Sequence, residues 1–439
     1  MPTVAGLANA PTLDSSVSAA RERYIARNPA SLAQHVEATA VLPGGNTRTV
    51  LFHEPFPLVM TRGEGCRLWD ADGHAYVDLL GEYTAGLYGH SNPVIRRALD
   101  RALDGGWNLG AHGVAEARLA RLVVNRFPSI ELVRFTNSGT EANLLAIATA
   151  VASTGRSRVL VFEGGYHGGL LYFGGGGIPI NAPHKFLLGR YNDSEGALAL
   201  ARAHADDLAC ILVEPMLGSG GCIPAERDFL LNLRTAADET GAVLIFDEVM
   251  TSRSSAGGQQ ARLGIVPDMT TLGKYIGGGM SFGAFGGRRD LMELYNPHRP
   301  GALPHAGTFN NNTLTMHAGV AGLEQLFTPE AADALFARGE GLRERLNALC
   351  AAAGLAVQWT GLGSLMTIHF QRGAIREPAD LTPRSLVKEL FHLDMLERGF
   401  YFARRGMAAL SLEIGATEED AFCAAFEAWL DLRSAELSS

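Results

Sequence analysis

Ala242-Val-Leu-Ile-Phe-Asp247-Glu248 and, one strand further on, Thr271-Leu-Gly-Lys274-Tyr-Ile-Gly-Gly-Gly-Met280 are the stretches whose reading decides the fold. The first is continuously apolar and ends in two acids. A strand covered on both faces reads this way, and open α/β sheets place functional groups at the carboxyl ends of such strands. Outward from it, between about residues 115 and 290, short apolar runs alternate with helical patterns. Strands are expected at Leu132–Phe135, Arg158–Phe162, Cys210–Val213, Ala242–Phe246, Met269–Leu272 and Phe282–Phe285, with helices such as Glu141–Ala152 and Phe229–Thr240 between them. The alternation predicts an α/β fold: a central, mostly parallel sheet with helices on both faces.

Beyond Thr328 the texture changes. A long helix over Glu330–Ala352 precedes a strand at Ser364–Phe370, then a helix over Ser385–Arg398, a strand at Ala408–Leu412 and a last helix opening at Thr417. Thr417-Glu-Glu-Asp420 suggests a capping box for that helix, with Asp in place of the usual Glu or Gln. The expected organisation is an N-terminal segment over 1–75 packing with the small domain, a large domain over 76–327 and a small α+β domain over 328–439.

Composition narrows the function. The chain has 439 residues, 47% of them hydrophobic and 19% charged, enough for a packed interior in more than one unit. A net charge of −9 without any Lys/Arg block argues against nucleic acid or an anionic membrane as partner. No apolar run reaches the roughly 20 residues of a membrane helix, and Met1–Ser18 lacks the pattern of a signal peptide. Five cysteines in no C-x-x-C pair suit free thiols in the reducing cytoplasm. The 13 histidines show no metal-ligand spacing, so no metal site is expected.

Three segments carry chemistry. In Phe135-Thr-Asn-Ser-Gly-Thr-Glu141 a strand gives way to a glycine-containing turn and then a helix, which presents backbone N–H groups and the Ser138 and Thr140 hydroxyls to a phosphate. An ordinary helix cap would look the same. Lys274 falls 27 residues after Asp247, among glycines, just past a buried strand. A buried lysine with a lowered pKa is a nucleophile towards an aldehyde, whereas most lysines are solvated surface charges. Tyr166 in Glu163-Gly-Gly-Tyr-His-Gly168 could offer a face to a flat heterocycle or simply pack in its loop.

Two rivals fail on their context. A P-loop ATPase needs G-x-x-x-x-G-K-[ST], but Lys274 is followed by Tyr275 and Asp268 stands where the first glycine belongs. Gly279-Met-Ser-Phe-Gly283 has the G-x-S-x-G spacing of hydrolases, yet an expected strand follows it rather than the helix a nucleophile elbow requires.

From about Pro43 onward the chain resembles the fold-type I, class III aminotransferases of the glutamate-1-semialdehyde aminomutase-like branch, enzymes that use pyridoxal 5'-phosphate. The resemblance rests on Asn137-Ser-Gly-Thr-Glu-Ala142, Gly165-Tyr-His-Gly168, Glu214-Pro215, Phe246-Asp-Glu-Val-Met-Thr251, Leu272-Gly-Lys-Tyr-Ile-Gly-Gly-Gly279 and Ala306-Gly-Thr-Phe309, in that order. It implies that Lys274 holds the cofactor as a Schiff base and that Asp247 partners the pyridine nitrogen. Val249 and Tyr166 would flank the ring, Ser138, Gly139 and Thr140 would cradle the phosphate, and Glu214 would belong to the cofactor site. Thr308 would reach the phosphate of a neighbouring subunit, which implies a homodimer with shared active sites.

Departures from the branch pattern bear on the reaction. The aminomutases carry a loop of the form P-G-G-V-N-S-P-V-R-A-F; here Pro43-Gly-Gly-Asn-Thr-Arg48-Thr-Val-Leu-Phe52 is shorter and its arginine is displaced. Their later A-P-S-A-F-E-A-G-F stretch is replaced by Ala403-Arg-Arg-Gly-Met-Ala-Ala409, without the glutamate. Both changes, with Glu82-Tyr-Thr-Ala-Gly86 and Gly307-Thr-Phe-Asn-Asn-Asn312, resemble the aromatic β-amino-acid (β-phenylalanine) transaminases. That implies a β-amino-acid donor, a keto acid such as 2-oxoglutarate or pyruvate as acceptor, and substrate contacts from Arg48, Tyr83 and Arg405. Either arginine could hold the donor carboxylate. The alternatives are an aminomutase working on one bound skeleton, another class III amine or amino-acid transaminase, or a non-enzymatic regulator on the same fold.

Overall fold

Seven strands form the central sheet of the computed structural model, which describes residues 12–438; residues 1–11, most of the stretch read for a leader, lie outside the described residues. We label them β1 (Leu132–Thr136), β2 (Arg158–Phe162), β3 (Lys185–Gly189), β4 (Leu208–Val213), β5 (Val243–Asp247), β6 (Met269–Gly273) and β7 (Gly283–Gly287). Their order is β1-β7-β6-β5-β4-β2-β3, with every neighbouring pair parallel except the two made by β7. β7 runs antiparallel for a physical reason. Only residues 274–282 separate it from β6, too few for the crossover that a parallel return needs.

All six residues of β4 and all five of β5 are buried, as continuously apolar strands covered on both faces should be. β3 lies outside the strands that the sequence predicts. It is a half-exposed edge strand, Lys-Phe-Leu-Leu-Gly, with no alternation and no β-branched residue to mark it.

The C-terminal part forms a three-stranded antiparallel sheet from Gln358–Leu362, Leu365–His369 and Met407–Ala409, packed by helices Pro329–Ala353, Ser385–Glu397 and Ala416–Leu432. The cap of the last helix differs from expectation: it starts at Ala416, and Glu418 reaches back to accept from the Gly415 N–H at 3.0 Å. Thr417 lies inside the helix instead of capping it.

Near the N-terminus, helices Leu13–Arg27 and Pro29–Thr39 precede strands Met60–Glu64, Arg67–Asp70 and Ala75–Asp78. Val17, Ala20, Tyr24, Phe56 and Tyr76 share one apolar cluster with Leu390, Leu393 and Leu396. Phe400–Tyr401 then pairs in parallel with Ala75–Asp78, and the Leu79 carbonyl accepts from Ala409 N–H at 2.6 Å. This stitching brings the turn at Tyr83 up to the segment that carries Arg405. Among the described residues no helix is long and apolar enough to cross a membrane, and no group of His, Cys, Asp and Glu could hold a metal ion.

Candidate active site

The ends of β1, β5 and β6 meet at one place in the sheet. Asp247 closes β5 and faces Thr271 on β6, so Lys274 emerges three residues beyond the register partner of the acid. Gly273 pairs with Gly283 on β7, which pairs in turn with Thr136 at the end of β1. Gly283 has to be a glycine: a Cβ there would lie 2.1 Å from the Ser138 carbonyl oxygen. The G-x-S-x-G spacing thus ends on a close backbone crossing rather than a nucleophile elbow, because Ser281 leads into β7 and not into a helix.

Ser138 caps the helix Gly139–Thr154, its hydroxyl oxygen accepting from Glu141 N–H at 3.2 Å and keeping its own O–H free to donate. Thr140 accepts from Gly169 N–H at 3.3 Å. The helix therefore presents free N–H groups and two hydroxyls at its positive end. Val249 lies against this turn: a Cβ on Gly139 would come within 2.9 Å of Val249 Cγ2.

Asp247 is buried, and its oxygens accept from His167 Nδ1 and Asn143 Nδ2, each at 2.8 Å, and from Val249 N–H at 3.0 Å. Glu248 points the other way. It fastens the following segment by accepting from Gln259 N–H, Gln260 N–H, Gln260 Nε2 and Thr251 Oγ1. Glu214 is buried near Asp247 and His167; burial pushes its carboxyl up to about 7, and it accepts from Tyr166 N–H at 2.8 Å and Gly218 N–H at 3.0 Å. Glu214 thus ties down the backbone under Tyr166, whose ring stays 44% exposed and free to cover something flat.

Lys274 is partly buried, with left-handed backbone at φ 60°. Non-glycine residues hold that conformation at a cost of about 1–3 kcal/mol, and such positions cluster at functional sites. Burial, reinforced by the positive charges of Arg405 and Arg48, pushes its amine down to about 8. Both arginines stand 5.4 Å from the centre of the Tyr83 ring. Arg48 pairs with the exposed carboxylate of Glu82, while Arg405 keeps a buried Nε with no hydrogen-bond partner. Glu82, Tyr83 and Thr84 all have positive φ, at 49°, 51° and 81°, so this wall of the site is a strained turn. Thr308 is exposed, on the loop after Leu303.

The fold thus brings together the expected residues Lys274, Asp247, Glu214, Val249, Tyr166, Ser138, Gly139, Thr140, Tyr83, Arg48 and Arg405. Asn143, Thr271 and His167 gather around Asp247 without any role assigned to them by the sequence. A buried Asn inside an apolar helix was the available signal for the first.

Comparison with known proteins gives the chain a family. The family model "Aminotransferase class-III" matches residues 52–173 and 188–425. A curated β-phenylalanine transaminase of Variovorax paradoxus is 52% identical over 419 residues, 95% of this chain and 96% of the relative. A solved β-phenylalanine aminotransferase from Variovorax paradoxus superposes with a TM-score of 0.95 at 52% identity, covering 97% of this chain and 99% of that one. A transaminase solved with PLP bound gives 0.85 at 32% identity, with 94% and 99% covered. The chain belongs to the class III aminotransferases. It is a pyridoxal 5'-phosphate-dependent enzyme of fold type I that moves an amino group between an amino donor and a keto acid.

The residues present suit that cofactor. Its phosphate needs N–H and O–H donors at a helix N-terminus, its ring nitrogen needs an acid with an open lone pair, and its aldehyde needs an amine of lowered pKa. When bound, the cofactor supplies the aldehyde that takes up the amine and the ring that accommodates the electron pair left on breaking a C–H bond.

Proposed function

We propose that this enzyme is a β-amino-acid transaminase, taking the amino group of an aromatic donor such as 3-amino-3-phenylpropanoate and passing it to a keto acid such as 2-oxoglutarate or pyruvate. The observation that carries this reading is Tyr83 flanked by two guanidiniums, Arg48 and Arg405, both close enough to Lys274 to lower its pKa. A β-amino acid holds its carboxylate one carbon further from the amine than an α-amino acid does. One site that serves both kinds of substrate needs carboxylate forks at two distances, and planar arginines provide bidentate ones.

In this account Arg48 clamps the donor carboxylate once it displaces Glu82, and Arg405, with its unpartnered Nε, serves the acceptor. Tyr83 lies 5.4 Å from each of them. Lys274 binds the cofactor and carries the proton removed from the carbon bearing the amine. Asp247 holds a proton at the pyridine nitrogen, Val249 and Tyr166 flank the ring, Glu214 fixes Tyr166, and Ser138, Gly139 and Thr140 hold the phosphate.

Thr308 completes the phosphate site of a second copy, so the working form is a homodimer. Its exposure, and that of Trp107, Leu109, Val114 and Phe309, supports a covered face there. The division at residues 75 and 327 into an N-terminal segment, a large domain and a small domain belongs to the same reading. So does a cytoplasmic location, supported by five unpaired cysteines.

Separate measurement of the two half-reactions tests the donor assignment. Arg48→Ala is expected to lower kcat/KM for 3-amino-3-phenylpropanoate on the order of 10²-fold with the cofactor retained, while Arg405→Ala impairs the keto-acid half more. Arg48→Ala reacting as the parent with that donor would contradict the reading.

A further inference from the structure

The two oxygens of Asp247 are not equivalent. Oδ2 takes two hydrogen bonds, from Asn143 Nδ2 and His167 Nδ1 at 2.8 Å each, whereas Oδ1 takes one, from Val249 N–H at 3.0 Å. A carboxylate offers about four acceptor sites, so one remains, and it is on Oδ1.

The orientation of the Asn143 amide follows from three partners. Its carbonyl accepts from Thr271 Oγ1 at 2.7 Å, and its NH₂ donates to Asp247 and to the His167 carbonyl at 3.0 Å. Turned over, it would face an acid and a carbonyl with an oxygen and a hydroxyl with an NH₂. Asn143 and Thr271 are 1% and 0% exposed, where an unmatched polar group would be costly. Thr271 is also the register partner of Asp247 across β5 and β6. Asn143 lies in the helix whose N-terminus carries Ser138, Gly139 and Thr140. One rigid element therefore spans from the proposed phosphate cradle to the acid. The titratable groups around Asp247 are His167, Glu214, Tyr166 and Lys274.

We propose that Asn143 and Thr271 are positioning residues that saturate Asp247 Oδ2, so that Oδ1 is the oxygen held toward the ring nitrogen of the cofactor. The inference rests on Asp247 serving that nitrogen. Thr271 acts through Asn143, and Asn143 acts through Asp247; neither needs to touch the cofactor.

The test compares Asn143→Leu, Thr271→Val, Thr271→Ser and Asp247→Asn with the parent. The readouts are the dissociation constant of pyridoxal phosphate from apo-protein, the melting temperature, and the rate constant and KM of the donor half-reaction. Asn143→Leu is expected to weaken cofactor binding and slow the half-reaction at saturating donor, each about tenfold, with KM nearly unchanged. Thr271→Val moves the same quantities less, and Thr271→Ser restores them. Should Asn143→Leu fail to fold, the Thr271→Val and Thr271→Ser pair decides alone. Parent-like cofactor affinity and rate constant in Thr271→Val, or in a folded Asn143→Leu that has lost only melting temperature, overturns the inference. If Asp247→Asn is itself parent-like, the reading beneath it fails; if Asp247→Asn is impaired while the other variants are not, this inference alone falls.

Discussion

Asp247 and Thr271 face each other across parallel strands, and that pairing sets Lys274 beyond the same end of the sheet as the acid. Position alone does not make an active site, but here it coincides with a lysine whose amine is pushed down to about 8 and an acid with an open oxygen. The proposed roles of both residues can be tested separately.

Asp247→Asn keeps the shape of the side chain and removes its charge. With less support for a proton on the ring nitrogen, removal of the C–H proton by Lys274 is expected to slow on the order of 10²-fold or more. A deuterium-labelled donor at the carbon bearing the amine should then show a larger isotope effect. An unchanged rate, with stability lost equally in the apo and loaded forms, would make the acid structural.

The lowered amine predicts how apo-protein takes up its cofactor. Only neutral Lys274 attacks an aldehyde, and with its pKa near 8 about a quarter is neutral at pH 7.5, against about one in a thousand for an ordinary lysine. The pH-dependent part of the reconstitution rate should therefore rise with pH to a midpoint near 8. Stopped-flow absorbance across about pH 6–10 follows it. A rise that continues toward the ordinary lysine range would show that burial and the two arginines do not act on this amine.

Thr308→Val removes a hydroxyl proposed to bind the phosphate held by the other subunit. A hydrogen bond to a charged group contributes about 1.5–3 kcal/mol, so cofactor affinity should fall about tenfold or more. Equilibrium titration measures the affinity, and sedimentation on the same samples reports assembly. Dilute monomer that binds cofactor and turns over as the parent would refute the shared site.

Legibility differed across the molecule for physical reasons. Buried strands such as β4 and β5 declare themselves by unbroken apolar runs, and Lys274 stood out because a charge just past such a strand is unusual. β3 is an edge strand whose side chains meet both solvent and core, so no period marks it. The meeting of Tyr83 with Arg405 depends on the two-residue strand Phe400–Tyr401, too short to carry any pattern. Asn143 reads as an odd polar residue and Thr271 as a good strand former; only the fold reveals that Thr271 donates to Asn143 and Asn143 in turn to the Asp247 carboxylate.

The central claim is that Lys274 carries the cofactor, and Lys274→Ala loaded with pyridoxal phosphate tests it in one sample. The account predicts that the visible absorbance of lysine-bound cofactor is lost, that borohydride no longer fixes the cofactor to the peptide containing residue 274, and that turnover with any amino donor falls to near background. A variant that still fixes the cofactor to protein on reduction and turns over at the parent rate would contradict it.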